Sequence, residues 1–386
     1  MQLTNATSIK HKSITLAVIT ALAMPLSAYA GGVTFKDGDK YIKVGGRIQL
    51  QYHQVQPDGG DTTDEIFFRR LRPYIEGSAH KDWKAKIQWD MGKATKDNEI
   101  AIKDAYFQYK GMENTKLTIG NANFPFSREF LTSSKYQQLV ERTFVGDHNY
   151  GTPDRNVGIH FTGNSGSKKI TWGASGTIAS IDPDAKKLDF DTPVNANDDF
   201  NDGFMIGGRV DFHPFGKLKF AQGDFAGKTK ATIGIAAYQW DNDGDNNTNT
   251  PGATTKADVD AVTGVEISGA FRTAGFSIDA QYNSFDADTV ETGFNGGLYT
   301  DGTTTLTNAA IEGGYMIDNT VEIVAGYQTQ DADGYATSWD RTSVGVNWFI
   351  NKHDTKVQLT YRMGENLNGV EDDDEDEVFL QTQFVF

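Results

Sequence analysis

A chain of 386 residues with 41 glycines, 12% aromatics and a formal net charge of -16 is long enough for one large domain and demands no second. Having no cysteine, it excludes a disulfide framework, thiolate metal sites and thiol nucleophiles. A mean hydropathy of -0.49, with no apolar run of about 18 residues, argues against helical membrane spans, but not against a β-barrel, whose lipid-facing and water-facing residues alternate.

The first thirty residues read as an export signal. Lys10 and Lys12 precede an apolar segment, Ile14 to Leu26, and Ala28-Tyr29-Ala30 forms a small-residue cleavage site. Cleavage after Ala30 would start a mature chain at Gly31. Charge in that chain is uneven: residues 31–155 hold 19 Lys+Arg against 17 Asp+Glu, whereas residues 156–386 hold 15 against 35. A basic first third inside an acidic protein leaves room for an anionic partner.

From Tyr41 to Tyr52, Ile42, Val44, Ile48, Leu50 and Tyr52 share one parity, and Lys43, Arg47, Gln49 and Gln51 take the other. That alternation predicts a half-buried strand. A loop is expected from His53 to Glu65, then a strand with Leu71, Pro73 and Ile75 on one face and Arg70, Arg72, Tyr74 and Glu76 on the other. A Lys81-Asp82 turn joins it to the next strand, which sets Trp83, Ala85, Ile87 and Trp89 against Lys84, Lys86, Gln88 and Asp90.

Beyond this hairpin the connections alternate, long then short. Gly92–Glu99, Pro125–Arg155, Ala179–Asp202, Asp241–Asp258, Asp286–Thr305, Asp331–Ser338 and Gly364–Glu377 are long. Gly111–Asn114, Asn164–Lys168, Thr273–Gly275, Asp318-Asn319 and Asn351–Asp354 are short, and Pro214–Lys228 breaks the rule. About sixteen segments of roughly ten residues are counted, each able to cross a bilayer at a tilt. The expected fold is therefore all-β: a transmembrane antiparallel barrel of about 16 strands spanning residues 31–386, with short periplasmic turns and long outer loops. Trp83, Trp89, Trp172, Trp240, Trp339 and Trp348 near strand ends are expected at the lipid-water interfaces. The chain closes on VFLQTQFVF, alternating and ending in Phe386, as assembly signals of outer-membrane barrels do.

No motif for catalysis stands out. His53, His80, His148, His160, His213 and His353 show neither HExxH spacing nor a GxSxG partner, so no enzyme is expected. Gly45-Gly46 and Gly207-Gly208 lie within strands and lack a following helix, which suits close packing in a wall rather than phosphate loops. DNDGDNN (Asp241–Asn247) and EDDDEDE (Glu371–Glu377) do not complete a calcium loop. No metal, cofactor or nucleic-acid partner is expected.

The basic residues carry the functional signal. Lys43, Arg47, Arg70, Arg72, Lys84 and Lys86 occupy the water-facing parity of three adjacent strands and would line one sector of a lumen, a track suited to anions. Arg69 has the opposite parity and would have to turn inward or meet lipid headgroups. The 124–155 connection is too long for a turn and is expected to fold inward as a constriction. Within it Ser134-Lys135-Tyr136-Gln137 fits a capping box, and Leu139, Val140 and Phe144 recur at helical spacing. This predicts a short helix, apolar side on the wall, aiming Lys135 and Arg142 across the channel.

FRRLRPYIEG (Phe68–Gly77), IKDAYFQY (Ile102–Tyr109), FPFSREFLTSSKYQQLVER (Phe124–Arg142) and the terminal FVF together resemble the phosphate-selective porins O and P of Gram-negative outer membranes. The resemblance implies a trimer of 16-stranded barrels narrowed by the third loop, through which phosphate or pyrophosphate passes. It also implies that Arg69, Arg70, Asp104, Ser134, Lys135 and Arg142 hold the anion. Two departures stand out. GFMIGGRVDFH offers only Arg209 where phosphate-specific members carry several arginines, and Asn121-Ala122-Asn123 stands where many relatives have a lysine. They leave open a general or cation-selective porin, or a barrel whose acidic outer loops serve adhesion.

Overall fold

The computed structural model describes residues 32–92, 100–190, 192, 194, 203–242 and 255–386. The proposed export signal and most of the 241–247 acidic stretch lie outside them. A short strand, β1 (Val33–Asp37), precedes sixteen others. These are β2 (Lys40–Pro57), β3 (Thr63–His80), β4 (Trp83–Asp90), β5 (Ala101–Tyr109), β6 (Thr115–Asn123), β7 (Arg155–Asn164), β8 (Ile170–Ile178) and β9 (Phe204–Phe212). The second half adds β10 (Lys230–Asp241), β11 (Val259–Thr273), β12 (Phe276–Thr289), β13 (Thr303–Ile317), β14 (Val321–Asp331), β15 (Trp339–Asn351), β16 (Thr355–Glu365) and β17 (Glu375–Val385).

From β2 onward each strand pairs antiparallel with the next, and β17 returns to β2 with Phe384 opposite Ile48 and Gln381 opposite Gln51. The result is a closed 16-stranded barrel, which leaves no open edge to be desolvated. Below the reach of β17, β1 covers the same flank of β2, Val33 opposite Val44. Phe386 and Gly46 exchange backbone hydrogen bonds of 2.8 and 3.0 Å just above that junction.

The strands are inside-out relative to a water-soluble protein. On β12, Phe276, Ile278 and Tyr282 are about half exposed, while Ser277, Asp279, Gln281 and Asn283 are buried. A band of exposed apolar side chains around a wall of this size has to meet lipid. The first outer loop is shorter than expected: the ladder continues to Pro57 and resumes at Thr63, because Val55, Gln54 and His53 find partners on Thr63, Asp64 and Glu65. Two tryptophans also depart from the expected girdle. Trp240 and Trp339 are buried within the lumen, whereas Trp83 and Trp348 are exposed on the outer wall.

The reason for those two is that one side of the lumen is not an open channel. Phe124, Phe126, Tyr238, Trp240, Phe285 and Phe190 form an apolar core against the inner faces of β9 to β13. Tyr238 is its hub, in ring contact with Phe124, Phe126, Phe190 and Phe285 and donating to Gly151 O at 2.6 Å. Trp240 stacks edge-on to Phe190 and donates to Ala179 O. From the opposite mouth the 213–229 connection, which broke the long-short rule, also turns inward. Gln222 donates its N–H to Tyr136 O (3.0 Å) and its side-chain amide to Glu312 (2.6 Å), and accepts from Gln138 N–H (2.7 Å). Phe225 packs on Phe349 and His353. This connection is long because it fills space under the inner loop.

Truncating Tyr238→Ala removes the hub and should cost about 3–5 kcal/mol, the usual range for a buried aromatic, while Tyr238→Phe should cost about 1 kcal/mol. The wall's own hydrogen bonds are untouched. The alanine variant should therefore become cleavable by protease within residues 124–155 while still running as a heat-resistant barrel in gel electrophoresis; the phenylalanine variant should resist.

Candidate constriction and anion site

The 124–154 segment lies across the barrel, and its hydrogen bonds show which walls it touches. Arg128 and Glu129 N–H groups donate to Glu266 and Gln281 (3.0 and 2.8 Å). Asn283 donates to Val145 O, and Asn308 to Tyr150 O. Farther round, Lys356, Gln358 and Asn347 donate to the carbonyls of Gln137 and Gln138 at 2.8–2.9 Å. The loop thus lies against β11–β17, and the open space is on the side of β2 to β7, which the loop meets through the side chains of Ser133 and Glu141.

Its one α-helix, α1 (Arg128–Leu131), lies a turn and a half before the helix expected at Ser134. Ser127 caps it, accepting from Phe130 N–H at 3.3 Å, and Ser134–Tyr136 forms only a single 3-10 turn. The cause is the wall. The carbonyls of Gln137 and Gln138 that a helix from Ser134 would have used are taken by Lys356, Gln358 and Asn347, so the chain there stays open. Leu139, Val140 and Phe144 are buried as expected, but without helical geometry.

Two strand irregularities enrich the facing wall. Gln49 pairs with Arg70 and Leu50 with Phe68, so Arg69 is the extra residue of a β-bulge. A bulge sets two residues against one and re-aims a side chain. Arg69 accordingly enters the lumen beside Arg70 and makes a two-pronged bond to Glu141 (2.7 and 3.0 Å). The same device recurs on β5: Gln88 pairs with Asp104 and Trp89 with Ile102, which turns Lys103 inward to Asp154 (3.3 Å). Pro73 fits between β2 and β4 because the β3–β4 ladder starts one residue later, at Tyr74.

Two cavities follow one another along this free side. The outer one, about 290 Å³, is lined by Arg69, Arg70, Ser134, Glu141 and Arg142, with Lys103, Asp147, His148, Asp154 and Asp189. The inner one, about 490 Å³, is lined by Lys43, Tyr74, Glu76, Lys86, Asp104, Tyr106 and Lys135. Arg47, Arg72, Asn123, Ser133 and Arg155 line both. Three arginines and no carboxylate line both cavities; two of the three, Arg72 and Arg155, are bonded to carboxylates that line one cavity or neither.

Some of these charges are matched and others are not. Arg72 donates to Asp90 (2.6 Å), Arg155 to Asp104 (2.7 Å) and Asp154 (3.0 Å), Lys86 to Asp104 (2.5 Å), and Lys84 to Glu76 (3.0 Å). Burial alone would raise Glu141, but the Arg69 guanidinium outweighs it and holds that carboxyl well below the usual range. His148 is half-buried, which disfavours its charged form, yet its bond to Asp189 raises its affinity for a proton. Arg47, by contrast, donates only to Ser133 (3.2 Å), Arg70 only to Gln49 (3.2 Å), and Arg142 only to the carbonyls of Phe130 and Thr132 (3.2 and 3.4 Å). Lys135 lies 4.7 Å over the Tyr136 ring. Among the described residues none of these four has a carboxylate partner, and the buried Nε atoms of Arg47, Arg70 and Arg142 and the Ser134 hydroxyl have no hydrogen-bond partner at all.

Of the residues singled out from sequence, Arg69, Arg70, Arg72, Ser134 and Arg142 meet in the outer cavity, and Lys43, Lys86, Asp104 and Lys135 in the inner one, with Arg47 at the waist. Lys84 lines neither, being tied to Glu76. Arg155, Lys103, Ser133 and Asn123 were missed. Lys103 has outward parity and only its bulge brings it in; Arg155 was visible as the cation ending the long loop beside Asp154. Arg209, the lone arginine of the middle strand, is fully occupied by Asp211, Glu266, Ser268 and Phe126 O beneath the loop.

The family of phosphate-selective porins O and P matches residues 42–386. Porin O of Pseudomonas aeruginosa is 31% identical over 154 residues, which is 34% of this chain and 35% of that relative, so the alignment spans about a third of the relative's length. Among solved structures, Salmonella typhi OmpF in complex with daunomycin superposes with a TM-score of 0.60 at 13% identity, covering 91% of this chain and all of the other. An anion-selective porin from Comamonas acidovorans gives 0.59 at 10% identity, over 90% of this chain and all of the other. At such identities these two show the shared barrel fold. A closed barrel with polar lumen, apolar belt and family match across nearly all of its described length makes this chain a member of the phosphate-selective porin O and P family of outer-membrane barrels.

Proposed function

We propose that the protein is a passive outer-membrane channel that prefers anions and takes inorganic phosphate or pyrophosphate, with the 124–155 loop as its constriction and the first thirty residues as a cleaved export signal. The observation that carries the reading is the waist. Arg47, Arg72 and Arg155 line both cavities and no carboxylate does, and among the described residues Arg47, Arg70 and Arg142 lack an acidic partner. A guanidinium withdrawn from bulk water without a counterion costs several kcal/mol. A tetrahedral oxyanion supplies what is missing, because it accepts several charge-assisted bonds at once. The partial pairing of Arg72 and Arg155 suits a channel: binding has to be favourable enough to enter and weak enough to leave. A homotrimer in the outer membrane is the assembly the family resemblance implies, and the exposed apolar side chains of the short strands β4 to β8 offer one face for it.

Reversal potentials in a potassium chloride gradient across planar bilayers should show anion preference, and a cation-selective channel would end the proposal. Phosphate added to either side should block chloride current, and Arg47→Ala or Arg142→Ala should weaken that block about tenfold each, equal to about 1.4 kcal/mol.

Arg69→Ala tests the bulge separately. It would leave Glu141 charged at the outer cavity with its main partner gone, so anion preference should fall, and Arg69→Ala with Glu141→Gln should restore it. The selectivity ratio from the same bilayer measurement reads both variants.

A further inference from the structure

Ser133, Ser134, Lys135, Glu141 and Arg142, which line the cavities from the loop side, lie between two points that a single buried side chain ties together. Glu129, in α1, is 2% exposed. One carboxylate oxygen accepts the Thr143 N–H at 3.0 Å and the other accepts the Thr143 hydroxyl at 2.5 Å. Gly146 lies so close that a Cβ there would come within 2.6 Å of the carboxylate. The Glu129 N–H is anchored to Gln281 on the wall. The segment from residue 130 to residue 142 is therefore a closed bight, cinched at its neck by Glu129 and Thr143. Arg142, adjoining Thr143, reaches back across that neck to the carbonyls of Phe130 and Thr132.

We propose that Glu129 is a positioning residue for the anion site, holding Arg142 through the Thr143 clasp and setting, by its own charge, how much of the Arg142 charge an entering anion feels. This rests on the anion-channel reading above and adds to it a residue that lines neither cavity. As a carboxylate, Glu129 opposes part of the Arg142 charge; as a neutral acid, it leaves that charge to the permeating ion. Burial pushes Glu129 up, to about 7, against the bonds from Thr143 and the charge of Arg142, which lower it. The other ionisable groups that act on it are Asp147 of the same loop and Glu312 of β13. Anion preference should therefore rise as pH falls through about 7.

Chloride is the permeating probe for the pH arm, because phosphate itself titrates in this range, and a His148→Asn background removes a histidine of the outer cavity whose affinity for a proton is raised. In that background the chloride-over-potassium ratio should increase severalfold from pH 8.5 to 5.5. Glu129→Gln, which keeps the shape and both contacts to Thr143, should hold the high, acid-side ratio at every pH. Glu129→Ala, which opens the clasp and, like Glu129→Gln, removes the charge, should show phosphate block about tenfold weaker than Glu129→Gln at pH 8.5. A Gln variant with the pH dependence of its parent, or an Ala variant blocked as tightly as the Gln variant, overturns the inference while the channel reading stands. A parent that is not anion-selective overturns the channel reading itself.

Discussion

A closed, fully hydrogen-bonded wall immersed in lipid leaves the chain one place for its polar side chains, and that place has limited volume. Everything else in the molecule follows from how the lumen is filled. Residues alternating off sixteen strands bring far more charge inward than a narrow pore tolerates unpaired, so most of it has been neutralised in place. Arg209 is bound on every side, and the buried Arg272 pairs with Asp279. Along β2, β3 and the facing loop Arg47, Arg70 and Arg142 have no carboxylate partner among the described residues, and there the protein has an open cationic waist.

The filling is lopsided. Aromatic residues and two inward connections, one from each mouth, occupy the side of β9 to β16, and space lined by polar and charged side chains remains in front of β2 to β7. Within the open part, the carboxylates do not simply cancel the cations. Asp104 spreads its charge between Lys86 and Arg155, and Asp90 holds Arg72 while also capping Leu71 N–H. Each such carboxylate orders a guanidinium or an ammonium without standing at the waist itself.

Much of this was legible in the chain. Period-two alternation gave the strands and their inward faces, and the long-short rhythm of connections gave the barrel. The basic parity of Arg47, Arg70, Arg72 and Lys86 puts these side chains inward, where they line the two cavities. What parity could not reveal was its own interruption: Arg69 and Lys103 are inward only because each is the surplus residue of a bulge, and nothing in local composition marks a bulge. The helix at Ser134 failed for a related reason. Its capping pattern was real, but the carbonyls it needed were claimed by Lys356, Gln358 and Asn347, more than 200 residues away in sequence. Trp240 and Trp339 misled because an aromatic near a strand end suits a lipid interface and a packed lumen equally well. Arg155 and the Glu129–Thr143 contact depended on the path of the loop, which only the surrounding wall determines.

The seam between β2 and β17 sets an order of events. Gln49 meets Gln383 across a sequence separation of 334 residues, so the wall cannot shut until nearly the whole chain is available. Contacts of such separation are the slowest to form. The loop draws on both sides of that seam, through Ser133 on Arg47 and through the carbonyl of Lys135, which accepts from Gln383. Its final shape therefore waits for closure. The selective waist is the last part of the molecule to be built, and a barrel that has not yet sealed has no waist at all.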